Sequence, residues 1–223
     1  MRRSTLALLT ILAALPVHGA GAQIIRGGRF ALRDPQTWVS ATYGWQEGWT
    51  VIDGRTRSRW DLGDTQQYGG SIERVVMTGV TLGVRATTST ASVRYVASEL
   101  PTEGAPVSEF LADTRVSQAL GVVHVSTGRQ LRSVFELGVG ATIYSDFRAR
   151  GGTALPGNPA SSDTDFAFSF TYGLGYSFSR NVHVDVVQDL GTSLHQGTNL
   201  AAGEDRSARI RTTRLVARYG FGG

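Results

Sequence analysis

Charged residues recur at even spacing near the C-terminal end of this 223-residue chain, as Asp185 and Asp189 and as Arg214 and Arg218. His183, Asp185, Val187, Asp189, Gly191, Ser193 and His195 share one parity, and Thr212, Arg214, Arg218 and Gly220 share one in a later segment. In an extended strand successive side chains point to opposite faces, so each set lies on a single face. Pairing the segments antiparallel with Val182 opposite Phe221 sets Asp185 against Arg218 and Asp189 against Arg214. Two carboxylates and two guanidiniums would then neutralise each other away from water. Removing one partner of such a pair strands a buried charge, at about 3–5 kcal/mol. A second inward group comprises Glu73, Arg85, Asp113, Arg115, Arg132 and Glu136. A two-residue turn at Gly128-Arg129 sets Gly121 opposite Glu136, leaving room for that carboxylate to reach an arginine. The chemistry these residues offer is an ion-pair plug; the alternative is a path for protons or a solute lined by the same groups.

His124-Val125-Ser126, with Glu136 downstream, holds the residue types of a Ser–His–carboxylate set for acyl transfer. Nucleophile and base must come within hydrogen-bond reach. By parity His124 shares a face with Val122, read as outward, while Glu136 points inward. The expectation is therefore no catalytic residues and no enzyme. His183 and His195 face the same way but stand roughly 40 Å apart along a strand, so they cannot share a metal. Gly173-Leu174-Gly175 lies inside a strand pattern and lacks the strand–loop–helix context of a nucleotide site. No metal or cofactor is expected.

These side chains need strands to hold them, and the clearest strand is Asp165 to Phe178. Phe166, Phe168, Phe170, Tyr172, Leu174, Tyr176 and Phe178 form one face; Ala167, Ser169, Thr171, Gly173, Gly175 and Ser177 form the other. The second face is too small and bare for a water-facing surface. It suits the crowded lumen of a narrow barrel whose large face meets lipid. Seven further strands follow the same logic. They span about Thr37–Gln46, Arg59–Val75, from Val80 to about Val96, Phe110–Val125, from Leu131 to about Phe147, from Val182 to about Leu194, and Ser207–Phe221. Trp60, Leu62, Tyr68 and Ile72 share a parity, as do Val116, Leu120 and Val122, read as outward. In the third strand Leu82, Val84 and Ala86 give way to Ala91, Val93 and Tyr95, which suggests a bulge near Thr88–Thr90. Loops at Glu47–Arg57, Ala97–Ser108, Arg148–Thr164 and Gly197–Asp205 alternate with short turns at Met77-Thr78-Gly79, Gly128-Arg129 and Ser179-Arg180-Asn181. The expected fold is all-β: an eight-stranded antiparallel up-and-down transmembrane barrel with short periplasmic turns and longer extracellular loops.

Residues 1–22 read as a signal peptide: Arg2 and Arg3, an apolar run from Leu6 to Val17, then Ala20-Gly21-Ala22. Residues 23–35 form a periplasmic lead-in and 36–223 the barrel. The formal charge of +4 falls by the two of Arg2 and Arg3 to +2, so the basic balance does not argue for nucleic acid. All 22 cationic side chains are arginine, which suits paired, confined sites better than a soluble surface. Cysteine is absent, which removes a disulfide framework and a lipidated cysteine.

The final stretch Leu215-Val216-Ala217-Arg218-Tyr219-Gly220-Phe221 alternates apolar residues and ends in Phe, with Gly222 and Gly223 appended. It resembles the C-terminal signal that outer-membrane barrels show their assembly machinery. The chain, nearly end to end, resembles the small eight-stranded barrels of the OmpA/OmpX/OmpW type. That resemblance implies residence in the outer membrane, contact with its lipid and lipopolysaccharide, and Leu215, Ala217, Tyr219 and Phe221 as the face read by the barrel-assembly machinery. It implies a structural or surface-interaction role, with passive transport of small or apolar solutes as the alternative and lipid A modification by an acyl hydrolase as the third reading. The loop arginines Arg55, Arg57, Arg148 and Arg150 have two readings, contact with lipopolysaccharide phosphates or a solvated rim. His124-Val125-Ser126 resembles the His-x-Ser of the outer-membrane lipid A deacylase, but Thr127-Gly128-Arg129 follows in place of that family's Asn. Oligomeric state is left open.

Overall fold

Alternation of large apolar with small or polar side chains leaves a strand only one economical arrangement, with each set on its own face of a sheet. The computed structural model describes residues 34–52, 59–96, 109–150, 162–194 and 207–222, all within the compact unit Arg33–Gly223. The strands are β1 (Thr37–Gln46), β2 (Trp49–Ile52), β3 (Arg59–Leu62), β4 (Thr65–Met77), β5 (Val80–Val96), β6 (Glu109–Gly128), β7 (Leu131–Ala149), β8 (Ser162–Ser177), β9 (Val182–Leu194) and β10 (Ser207–Phe221). β2 continues β1 and β3 continues β4 past a short break, in one register: Gln46 faces Thr65 and Trp49 faces Leu62. The ring runs β1, β4, β5, β6, β7, β8, β9, β10 and closes where β10 pairs with β1. Eight antiparallel wall strands form a closed barrel. The signal peptide, most of the lead-in, the loop Ala97–Ser108, the loop Gly197–Asp205 and His195 lie outside the described residues. β2 lies inside the expected loop Glu47–Arg57 and forms a hairpin with β3, the start of the expected strand Arg59–Val75.

The faces of β8 fall as the alternation requires. Phe168 is 44 % exposed and Leu174 58 %, while Asp165, Ala167 and Thr171 are buried. With Ile72, Leu82, Leu137, Val139, Val186, Leu215 and Tyr219 they form a continuous apolar exterior, which in water would be an aggregation surface and in lipid is matched.

Four expectations are corrected. The first concerns β6. Gly128, at φ +105°, pairs with Arg132, leaving three residues in the turn instead of two. Thr127 therefore faces Ser133, not Gln130, a slip of three positions. An odd slip exchanges the faces of a strand. Val116, Leu120, Val122 and His124 are buried in the lumen, and His124, not Gly121, stands opposite Glu136.

The second concerns the bulge. β5 pairs with β6 without a shift through Thr88–Thr90. The extra residue lies on the neighbouring strand, where Leu62 faces Val93 but Gln67 faces Ser89, five residues against four. Gly63 N still donates to Ser92 O, and the Asp64 carboxylate accepts from Gly48 N at 2.7 Å. Trp60 and Leu62 consequently turn inward while Tyr68 and Ile72 stay outward. Ala91 and Val93 point inward because the lumen itself becomes apolar at that height; the strand does not change phase.

The third correction is Phe147. A second bulge between Arg115, facing Ser145, and Asp113, facing Arg148, leaves Asp146 at φ +53°. Beyond it the odd residues face in, and Phe147 packs edge-on against Trp60 at 5.8 Å. The fourth is the β9–β10 register: Val182 faces Tyr219, two positions from the expected Phe221. An even slip keeps the faces and changes only the partners.

The lumen has two layers. Trp49, Trp60, Leu62, Ala91, Val93, Val116, Tyr144 and Ile210 form an apolar cluster in the half toward the long connections. The half toward the short turns holds most of the buried charges; Asp165, which accepts from Ser193 at 3.3 Å, is buried near the other end.

Candidate functional site

Small residues in the lumen face make room for long charged ones. A Cβ on Gly175 would lie 2.1 Å from Asp185 Oδ1 and 3.0 Å from Arg132 Nη2, so glycine there is what admits that ion pair. Arg132 Nη2 donates to Asp185 Oδ1 at 2.6 Å. One step along, Arg218 Nη2 donates to Glu73 Oε2 at 2.6 Å, and Glu73 also accepts from Ser71 and Thr81. Arg218 Nη1 lies 2.8 and 2.7 Å from the two ring nitrogens of His124, and His124 Nδ1 is 3.6 Å from Glu136 Oε2. Arg85 bridges Glu136 and Asp189, reaching Asp189 Oδ2 at 2.9 Å and Ser169 at 3.1 Å. Arg214 stands 3.4 Å from both Glu136 and Asp189 and donates to Thr171 at 3.1 Å.

All eight of these charged side chains are buried. Four carboxylates (Glu73, Glu136, Asp185, Asp189) meet four guanidiniums (Arg85, Arg132, Arg214, Arg218), so their formal charges balance. Its floor is Trp38, with His183 at 4.3 Å between ring centroids and the Arg218 guanidinium 5.7 Å from the Trp38 ring centre. The cavity left among them is about 20 Å³, room for about one water.

Sequence parity thus brings together Glu73, Arg85, Arg132, Glu136, Asp185, Asp189, Arg214 and Arg218. Arg115 is not among them. Its side chain is 54 % exposed and pairs with Asp146 at 2.9 Å on the exterior. Asp113 also faces out, held by Arg150 Nε at 3.0 Å. The expected partners change as well: Asp185 takes Arg132, Arg218 takes Glu73, and Asp189 shares Arg85 with Glu136 while keeping Arg214. Cross-strand opposition does not decide these pairs, because long arginines reach over the narrow lumen to other strands. His124 is the member that parity missed. The odd positions of β6 (Ala119, Gly121, Val123, Val125) are as apolar as Leu120 and Val122, so only the turn length separates the faces.

His124 and Glu136 therefore lie on one side of the wall, contrary to expectation. Among the described contacts the Ser126 hydroxyl bonds neither of them, and Arg218 Nη1 lies against the His124 ring, so no nucleophile–base pair forms among the described residues. Glu73, His124 and Glu136 present ligand atoms within 4.8 Å of one another. The cation in their midst is the Arg218 guanidinium, and a dication would add charge to a layer already balanced.

No family model matches the sequence, and no curated relative matches it. Solved structures share the fold. The chain is similar to Neisserial surface protein A, at 12 % identity and TM-score 0.54 over 83 % of this chain and 97 % of that one. It is similar to the outer membrane protein OprG from Pseudomonas aeruginosa, at 9 % identity and TM-score 0.54 over 85 % and 98 %. The fold is that of the small outer-membrane β-barrels, and the lipid-matched exterior accords with that location.

Proposed function

We propose that the protein is a closed barrel of the outer membrane that acts through its surface, structurally or by interaction, and conducts no hydrophilic solute. One observation carries this reading: eight buried charges, four of each sign, pack against each other across the lumen and leave space for about one water. An eight-stranded barrel is just wide enough to be filled by side chains, and these side chains fill it. Leu215, Ala217, Tyr219 and Phe221 face outward on β10, which supports their role as the face shown to the assembly machinery. Nothing in the lumen supports acyl transfer, and no enzymatic activity is proposed. The test is planar-bilayer conductance of the refolded protein. No steady open level is expected; a stable ohmic level would sink the plug.

The second reading is passage of apolar solutes, and the apolar cluster of Trp49, Trp60, Leu62, Val93 and Ile210 favours it. A solute entering there would meet the charged layer and have to leave sideways through the wall. Transfer of an apolar fluorescent probe into vesicles carrying the barrel separates the two readings.

A further inference from the structure

The exterior of β10 changes character along its length. Phe221, Tyr219, Ala217 and Leu215 point outward first, then Thr213, Arg211 and Arg209. Arg209 and Arg211 are exposed on one face, roughly 7 Å apart along the strand. Neither forms an ion pair among the described residues, whereas exterior Arg59, Arg115 and Arg150 are held by Asp61, Asp146 and Asp113. Glu47 lies beside Arg211, donating its backbone N–H to Arg211 O at 2.9 Å, but its carboxylate closes no ion pair. On the other flank Arg211 is registered with Leu190 and Arg209 with Thr192. Phe170 and Phe168 follow in the same rows on β8. Leu190, Leu194, Phe166, Phe168 and Phe170 all face outward. A cation pair with no ion partner among the described residues thus stands at the edge of the apolar β8–β9 wall.

We propose that Arg209 and Arg211 bind the phosphate of an acylated, phosphorylated glycolipid of the outer leaflet, whose chains lie on the β8–β9 wall. The inference rests on the outer-membrane reading above. Guanidinium forks match phosphate oxygens, and two side by side clamp one group. A lipid fits better than a soluble phosphate because the adjoining surface must be covered by hydrocarbon, and a membrane-bound phosphate brings that cover with it.

The test is native mass spectrometry of the full-length barrel refolded in detergent micelles, with diphosphoryl lipid A as probe. Wild type is expected to retain the lipid, and the double variant Arg209→Gln/Arg211→Gln to bind it on the order of tenfold or more weakly. Arg129→Gln, in the turn at the opposite end, should bind as wild type does, and Glu47→Gln should bind more tightly. Equal retention by wild type and the double variant overturns the proposal. Equal retention of dephosphorylated lipid A by wild type overturns it too, and that arm needs no variant to fold. Competition by inorganic phosphate alone, at concentrations comparable to the lipid, would overturn the lipid as source. Heat-modifiable migration on gels checks that each barrel is folded. A failure of the membrane reading shows differently, as a chain soluble without detergent.

Discussion

Arg85 illustrates how much rests on single side chains in this lumen. It bridges Glu136 and Asp189, so Arg85→Ala leaves two carboxylates sharing Arg214. The expected loss is about 3–5 kcal/mol, read as a lower denaturant midpoint for the folded band. Asp189→Ala should fall in the same class. Asp113→Ala, which breaks an exterior pair with Arg150, should cost no more than about 1 kcal/mol. Equal midpoints for Asp189→Ala and Asp113→Ala would contradict the interior placement of Asp189. Glycine is tested the same way. Gly175→Ala drives a methyl into the Arg132–Asp185 pair and should destabilise by roughly 1–3 kcal/mol. Gly121→Ala points outward with its nearest neighbour, Val139 O, at 3.6 Å, and should be silent. At this scale most of the site's membership was legible, because a charge on a strand's lumen parity has few places to go; Asp113, Arg115 and His124 are the exceptions, each on a stretch of β6 whose face the turn length decides. Its partner was not, because a guanidinium's reach spans the lumen and admits several carboxylates.

At the scale of elements, two bulges and one turn decide which faces are inside. The extra residue at Gly63–Gln67 turns Trp60 and Leu62 into the lumen, and the one at Asp146 does the same for Phe147. Deleting Gly63 restores simple pairing and sends Trp60 outward. The expected result is loss of the apolar cluster, seen as red-shifted tryptophan emission together with a weakened heat-modifiable band. An unchanged emission maximum would show that the hairpin of β2 and β3 re-forms without its bulge. The sequence marked this place only as an interruption at Asp64 and Gln66. Loss of alternation reports that a strand is irregular, not which way it turns afterwards. In β5, by contrast, a regular strand looked irregular because its inner surroundings change from charged to apolar.

For the whole molecule, an apolar wall, a charge-balanced layer and an apolar cluster above it act together. Burying the charges is tolerable because each finds its opposite, and the closed wall supplies the opposite from a distant stretch of chain: Arg218 and Glu73 are 145 residues apart. Conductance follows at this scale. Arg214→Ala removes a long side chain from the middle of the layer and should allow brief openings in a planar bilayer where wild type stays silent. Silence in both would mean that the apolar cluster above seals the lumen unaided.

Sequence alone determined that the chain makes strands, which face of most of them meets lipid, and eight of the charges kept from it, because a period of two is a local property of neighbouring residues. Tertiary structure alone decided the ion partners, the inward turn of His124, Trp60 and Phe147, and that Arg209 and Arg211 meet no carboxylate among the described residues. Those depend on turn length, on bulges and on closure of the ring, where one residue more or less exchanges inside for outside and no local pattern records the difference.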